Sequence, residues 1–201
     1  MNQSTITFRY SNIYDMNLCR WSKGKWDDQV MLSNLEYAGQ LQSFWQKYER
    51  EALELFSHWK LAMPVSIVAY VVSPWPGITN FSDPLTIVKN DDMQAAFSTL
   101  CHELAHVSLS QSENKQVKHE IYEKIHQRFP DADYPTRIHV AVNFLQKSLI
   151  RAIYPEAGKS MDKEKKANST LYPGQQSAWH ILDNYLSKLN VAAPIESLRD
   201  I

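Results

Sequence analysis

Five consecutive residues, His102-Glu103-Leu104-Ala105-His106, hold the clearest chemical signal in this chain of 201 residues. They match the pattern H-E-x-x-H. Two residues four apart on a helix are only about 40° apart around its axis, so both imidazoles face one point and can share a metal ion. Glu103 then lies on the adjoining flank, where its carboxylate can take a proton from a water that the ion polarises. Zn²⁺ suits this set, because it favours tetrahedral nitrogen and oxygen ligands and lowers the pKa of its water to about 7. The motif therefore points to Zn²⁺ as the cofactor, His102 and His106 as two ligands, and Glu103 as the general base of a hydrolase.

A catalytic zinc needs a third protein ligand and one open position. The continuation H-x-x-G-x-x-H is absent, since Leu109 and Ser112 stand at its glycine and histidine positions. Glu120 and Glu123 are available on the next helix. There Val117, Ile121, Ile125 and Phe129 set the buried face, and the two carboxylates point about 140° and 160° away from it, as solvent-facing charges do. His119 is a further candidate. His139 is preferred, because Ile138, Val140, Ala141, Val142, Phe144 and Leu145 make its segment apolar on nearly every side and bury the first turns. His139 and Asn143, four residues apart, share one face. A buried imidazole beside a buried amide needs partners, and a zinc ion with Asn143 orienting a ligand supplies them. The alternative is a core histidine satisfied by backbone or water.

Several elements must position these groups. Ser33 followed by Glu36 is a capping box, and the apolar spacing after it predicts one long helix over 34–61. Pro64 ends that helix, and the β-branched run VSIVAYVV predicts a buried strand at 65–72. A short strand, LTIV, is expected at 85–88. Asn90, Asp91 and Asp92 then form a cap signal for a helix at 93–110, with HELAH in its middle. Further helices are expected at 114–129, 136–154 and 175–190. Residues 1–32 read as irregular, with Trp21 and Trp26 as isolated packing anchors. The stretch 156–174, with Gly158, Pro173, Gly174 and the run MDKEKK, reads as a mobile Lys-rich loop. The expected architecture is a single α+β domain, mainly helical, with a small sheet packed beside the HELAH helix and further helices.

The order strand, short strand, HELAH helix resembles the zincin metallopeptidases. The segments FSDPLTIV and TRIHVAVNFLQKSL resemble a group of uncharacterised bacterial proteins with a minimal zincin-like core, over about residues 60–155. The resemblance implies a minimal zincin-like fold and a peptide or protein substrate. It also implies an edge strand, at Leu85 to Val88, that pairs with an extended substrate. A third histidine a dozen or so residues after the motif resembles the SprT-like proteases and would select His119, although Glu120 stands where that pattern has Gly.

Composition sets outer bounds. Apolar residues make up 44% of the chain, and 21 Lys+Arg against 22 Asp+Glu give a net charge of -1. This balance removes the general electrostatic drive toward nucleic acid or an anionic membrane. Leu61 to Trp75, the longest nearly apolar stretch, contains Pro64 and Pro74 and is shorter than the roughly 20 residues of a membrane helix. The polar N-terminus lacks an apolar secretory segment, so a cytoplasmic protein with reduced Cys19 and Cys101 is expected. Cys101 reads as core packing, and Lys159, Lys163, Lys165 and Lys166 as a solvated stretch. Tyr134, Tyr154, Tyr172 and His180 are open candidates for an oxyanion donor. The reading is a zinc-dependent hydrolase of the metallopeptidase kind. Its alternatives are a zinc-stabilised module without turnover and a metal-free helical interaction domain.

Overall fold

The computed structural model describes residues 4–168 and 173–201. It is mainly helical α+β with a small mixed sheet. The chain opens with strand β1 (Thr5–Tyr10) and helix α1 (Asn12–Trp21), followed by α2 (Asp28–Trp45) and α3 (Glu49–His58). Strand β2 (Ser66–Val72), the two-residue β3 (Phe81–Ser82) and β4 (Leu85–Val88) complete the sheet. Helices α4 (Met93–Ser110), α5 (Lys115–Arg128), α6 (Tyr134–Ile153), α7 (Gly158–Asn168), α8 (Pro173–Asn184) and α9 (Pro194–Arg199) follow. The strand order is β1-β2-β4-β3. Strands β1, β2 and β4 run parallel, whereas β3 pairs antiparallel with β4, Phe81 opposite Thr86 and Ser82 opposite Leu85.

The sheet continues one strand past β4. The expected edge strand, Leu85 to Val88, is covered along part of its outer side by β3, and beyond β3 the Val88 N–H donates to Asn80 Oδ1 at 2.8 Å. The outer strand is therefore β3. The opposite edge, β1, is closed by side chains from the helices. Gln42 accepts from the Phe8 N–H at 2.9 Å and donates to the Ile6 carbonyl at 3.2 Å, and Glu49 accepts from the Ile6 N–H at 2.7 Å. Such capping removes the free donors that make an edge strand sticky.

Three expectations change. Residues 1–3 lie outside the described residues, and residues 4–32 are not irregular: TITFRY alternates, Ile6 and Phe8 turn into the core, and Ser11 Oγ caps α1 at the Tyr14 N–H. Trp21 is no anchor, being 75% exposed, while Trp26 Nε1 donates to Tyr10 Oη at 3.0 Å. The single helix over 34–61 is two. The first begins earlier, where Asp27 Oδ1 accepts from the Val30 N–H at 2.9 Å, and stops at Trp45. The break lets the Glu49 carboxylate serve both β1 and Trp45 Nε1, which donates to it at 3.1 Å. Ser33, the expected cap, instead meets the Lys89 ammonium. Finally, most of the expected loop 156–174 is helix α7, anchored by buried Ala157 and Met161 and by Ser160 Oγ, which donates to Asp92 Oδ2 at 3.2 Å.

Helix α4 lies between the sheet and α6, and α6 packs in turn on α8. Phe97, Leu100, Cys101, Leu104 and Ala105 of α4 are fully buried, as are Val140, Ala141, Val142 and Leu145 of α6. The N-terminus of α4 is set by Asp92, whose Oδ1 accepts from the Gln94 and Ala95 N–H groups at 2.9 and 3.3 Å. Burial pushes the Asp92 carboxyl upward. The bonds from Gln94, Ala95 and Ser160 outweigh it and hold the carboxyl below its usual range. An aromatic cluster, with Tyr48 5.1 Å from Phe97 and 5.0 Å from Tyr154, clamps that end between α3 and α6. Asn114 fixes the other end, its Nδ2 donating to the Ser108 and Ala62 carbonyls at 2.7 and 2.9 Å. No helix among the described residues is long and apolar enough to cross a membrane.

Candidate metal centre

Helix α4 presents His102 and His106 one turn apart, and α6 brings His139 to face them. One ring nitrogen from each lies within 4.8 Å of the others, and the ring centroids are 4.9, 5.3 and 5.7 Å apart. His102 is buried at 7% exposure, whereas His106 and His139 are half-buried at the rim of a cleft.

Two hydrogen bonds assign the free nitrogens. His139 Nδ1 stands 2.8 Å from the Pro135 carbonyl, which can only accept, so Nδ1 carries the proton and Nε2 keeps its lone pair. His102 Nδ1 stands 3.2 Å from Gln146 Oε1. The Gln146 amide orientation follows from its network, since Nε2 donates to both the carbonyl and Oγ of Ser98 at 3.0 Å. Oε1 therefore accepts from His102 Nδ1, and Nε2 of His102 is likewise free.

The electrostatics agree. Burial, followed by the neighbouring His106 and His139, pushes His102 well below the usual 6.5, against the bond to Gln146. Burial and His139 lower His106 to about 4. Burial lowers His139 too, opposed by its bond to Pro135 and by Asp133. All three imidazoles are thus neutral at pH 7, as metal ligation requires. Three nitrogens bound tetrahedrally to one zinc sit about 3.4 Å apart, so small side-chain rotations bring this group onto an ion. The donor set fits a cation with three protein ligands and one open face.

That face opens on a cleft of about 530 Å³, where Glu103, 7% exposed, lies beside the three histidines. Residues 78–83, including β3, also line it, as does Gln175 from the first turn of α8.

The other expected site residues fall elsewhere. Asn143 is fully buried, and among the described residues neither atom of its amide has a partner. The amide that holds a histidine is Gln146, three residues further along α6. Reading the helix missed it, although His139, Asn143 and Gln146 share a face at positions i, i+4 and i+7. Glu120 is taken by Gln116 and Arg199, each at 2.7 Å. His119 and Glu123 line a separate cleft with Tyr134. Tyr154 belongs to the aromatic cluster and accepts from Gln94 Nε2 at 3.2 Å. His180 lines a third cleft beside Tyr185. Tyr172 lies outside the described residues.

Compared with known proteins, the chain matches no protein-family model, no curated protein and no solved structure. The reading of the site therefore rests on its own chemistry.

Proposed function

We propose that this chain is a zinc-dependent hydrolase, a metallopeptidase in which His102, His106 and His139 hold the ion and Glu103 is the general base. The observation that carries the reading is the convergence of three neutral imidazoles beside a buried carboxylate in an open cleft, two of them with Nδ1 already committed. Zinc bound there supplies a Lewis acid for the scissile carbonyl and makes water a competent nucleophile near pH 7.

The chain's own residues do the rest. Pro135 and Gln146 hold His139 and His102 in the tautomer that offers Nε2, so no tautomer change is needed on binding. Glu103 takes the proton from the attacking water and returns it to the leaving amine, a role worth about 10²–10⁴-fold in rate. The short β3 lines the cleft and is the end strand of the sheet, so an extended peptide can add backbone hydrogen bonds to it. Because Asn80 already satisfies the Val88 N–H, that pairing falls on β3 rather than on β4.

The test is hydrolysis of a peptide library by zinc-loaded protein, with Glu103→Gln in parallel. Turnover that drops at least about a hundredfold in Glu103→Gln, with zinc retained, supports the reading. Equal turnover in the two proteins, or none in the wild type with zinc bound, overturns the assignment of a catalytic role.

A further inference from the structure

Ser110 sits one turn beyond His106 on α4, so the face that carries the histidines continues past the metal cleft. It leads into a second cleft of about 460 Å³, walled by the end of α4, by α5 and by the first turn of α6. Lys115, Lys118 and Arg137 line this cleft, together with His119 and the rings of Tyr122 and Tyr134. Glu123 is the one carboxylate in its wall. Among the described residues none of the three cations is in an ion pair.

Arg137 is set to receive a ligand. Its side chain lines the cleft, and its guanidinium lies over the Tyr134 ring, 5.9 Å from the centroid. The nearby Asp133 feels the Arg137 charge, but its carboxylate is committed to the Thr136 N–H at 2.8 Å as the cap of α6. Three cations against the carboxylates of Glu123 and nearby Asp133 leave one positive charge in excess, and a concave space with aromatic walls then suits a monoanion whose carbon skeleton can lie on the rings. A planar carboxylate matches the guanidinium fork. Glu123 and the net charge of -1 weigh against a polyanion such as nucleic acid.

We propose that this second cleft is a substrate subsite for a carboxylate, so that the preferred substrates are peptides with an acidic group a few residues from the scissile bond. The inference rests on the peptidase reading for the word substrate, but the binding it describes does not require the metal. The carboxylate can come from an acidic side chain or from a free C-terminus, and both offer the same two oxygens.

The experiment measures binding of short alanine-rich peptides carrying a neutral dye, by fluorescence anisotropy at low salt, to metal-free and to zinc-loaded protein. One peptide has an internal glutamate and an amidated end, one an internal glutamine and an amidated end, and one an internal glutamine and a free C-terminus. A charge-assisted pair in a partly enclosed cleft predicts about tenfold or tighter binding of at least one carboxylate-bearing peptide over the neutral one. Which of the two gains identifies the source. The preference should fade with salt and vanish in Arg137→Gln and in the surface variant Lys118→Gln. In Glu123→Gln it should rise about two- to fivefold, a gain that misfolding does not produce.

No preference in the wild type, or a preference that survives both Arg137→Gln and Lys118→Gln, overturns the proposal. So does tighter binding of a short single-stranded DNA than of the acidic peptide. Absence of zinc binding would refute the metal reading alone, because the preference is read in metal-free protein as well.

Discussion

Replacing Gln146 by Met tests how the site is held together. The side chain is 1% exposed, and Met keeps its length and volume, so cavity formation contributes little. What is lost is the acceptor for His102 Nδ1 at 3.2 Å and two bonds to Ser98 at 3.0 Å. A buried N–H without a partner costs about 1–3 kcal/mol. The imidazole escapes that penalty by carrying its proton on Nε2, the atom a metal needs. Binding must then restore the costly tautomer, which predicts a zinc affinity about 10–100-fold lower, the same energy expressed as a dissociation constant. Asn143→Leu is the contrasting change. Its amide has no partner among the described residues, so an apolar side chain of similar size should stabilise the metal-free protein by about 1 kcal/mol and leave zinc affinity within about threefold. Competition against a chromophoric chelator measures the affinities, and urea unfolding the stabilities. Wild-type affinity in Gln146→Met would refute this reasoning, as would an equal loss in Asn143→Leu.

Three further outcomes are expected. In metal-free protein His106 has a pKa of about 4 because it is buried beside His139, so as pH falls below about 6.5 the unfolded chain takes up the proton first. Stability therefore drops between about pH 6.5 and 4, by up to about 3 kcal/mol from this group, and urea midpoints should fall less in His106→Gln than in the wild type; equal falls would refute the assignment. Asp15, fully buried, accepts from the Ser73 N–H at 2.9 Å, Trp75 Nε1 at 2.7 Å and Asn34 Nδ2 at 3.1 Å, and Asp15→Asn turns a donor onto one of them. A loss of about 3 kcal/mol and a Tm lower by roughly 6–12 °C are expected, and an unchanged Tm would contradict the network. Glu49→Ala strips the acceptor from the Ile6 N–H and Trp45 Nε1 and should cost about 2 kcal/mol, with faster amide exchange at β1 by NMR as its signature.

The parts of the fold legible in the sequence were those with local causes. The run VSIVAYVV, the turn after it, and the Asn/Asp cluster ahead of HELAH lead directly to β2, β4 and α4, where Asp92 is the cap. His139 stood out as a polar break in an apolar helix face, and it converges with His102 and His106. Features set by distant partners were not legible. Strand β1 needs β2, about sixty residues away, to become a strand, and the break after Trp45 accompanies the bond from the Ile6 N–H to Glu49, forty-three residues on. Asn143 and Gln146 look equivalent on a helical wheel. Only the placement of α4 against α6, with Ser98 and His102 opposite Gln146, decides which amide reaches an imidazole.

Zinc content per chain, measured on protein purified without added metal and again after zinc is offered and excess removed, bears most directly on the proposed centre. About one zinc per wild-type chain, lost in His139→Ala and retained in His119→Ala, is expected from three converging imidazoles. A wild-type chain that takes up no zinc even when it is offered, or a His139→Ala chain that holds zinc as the wild type does, would contradict it.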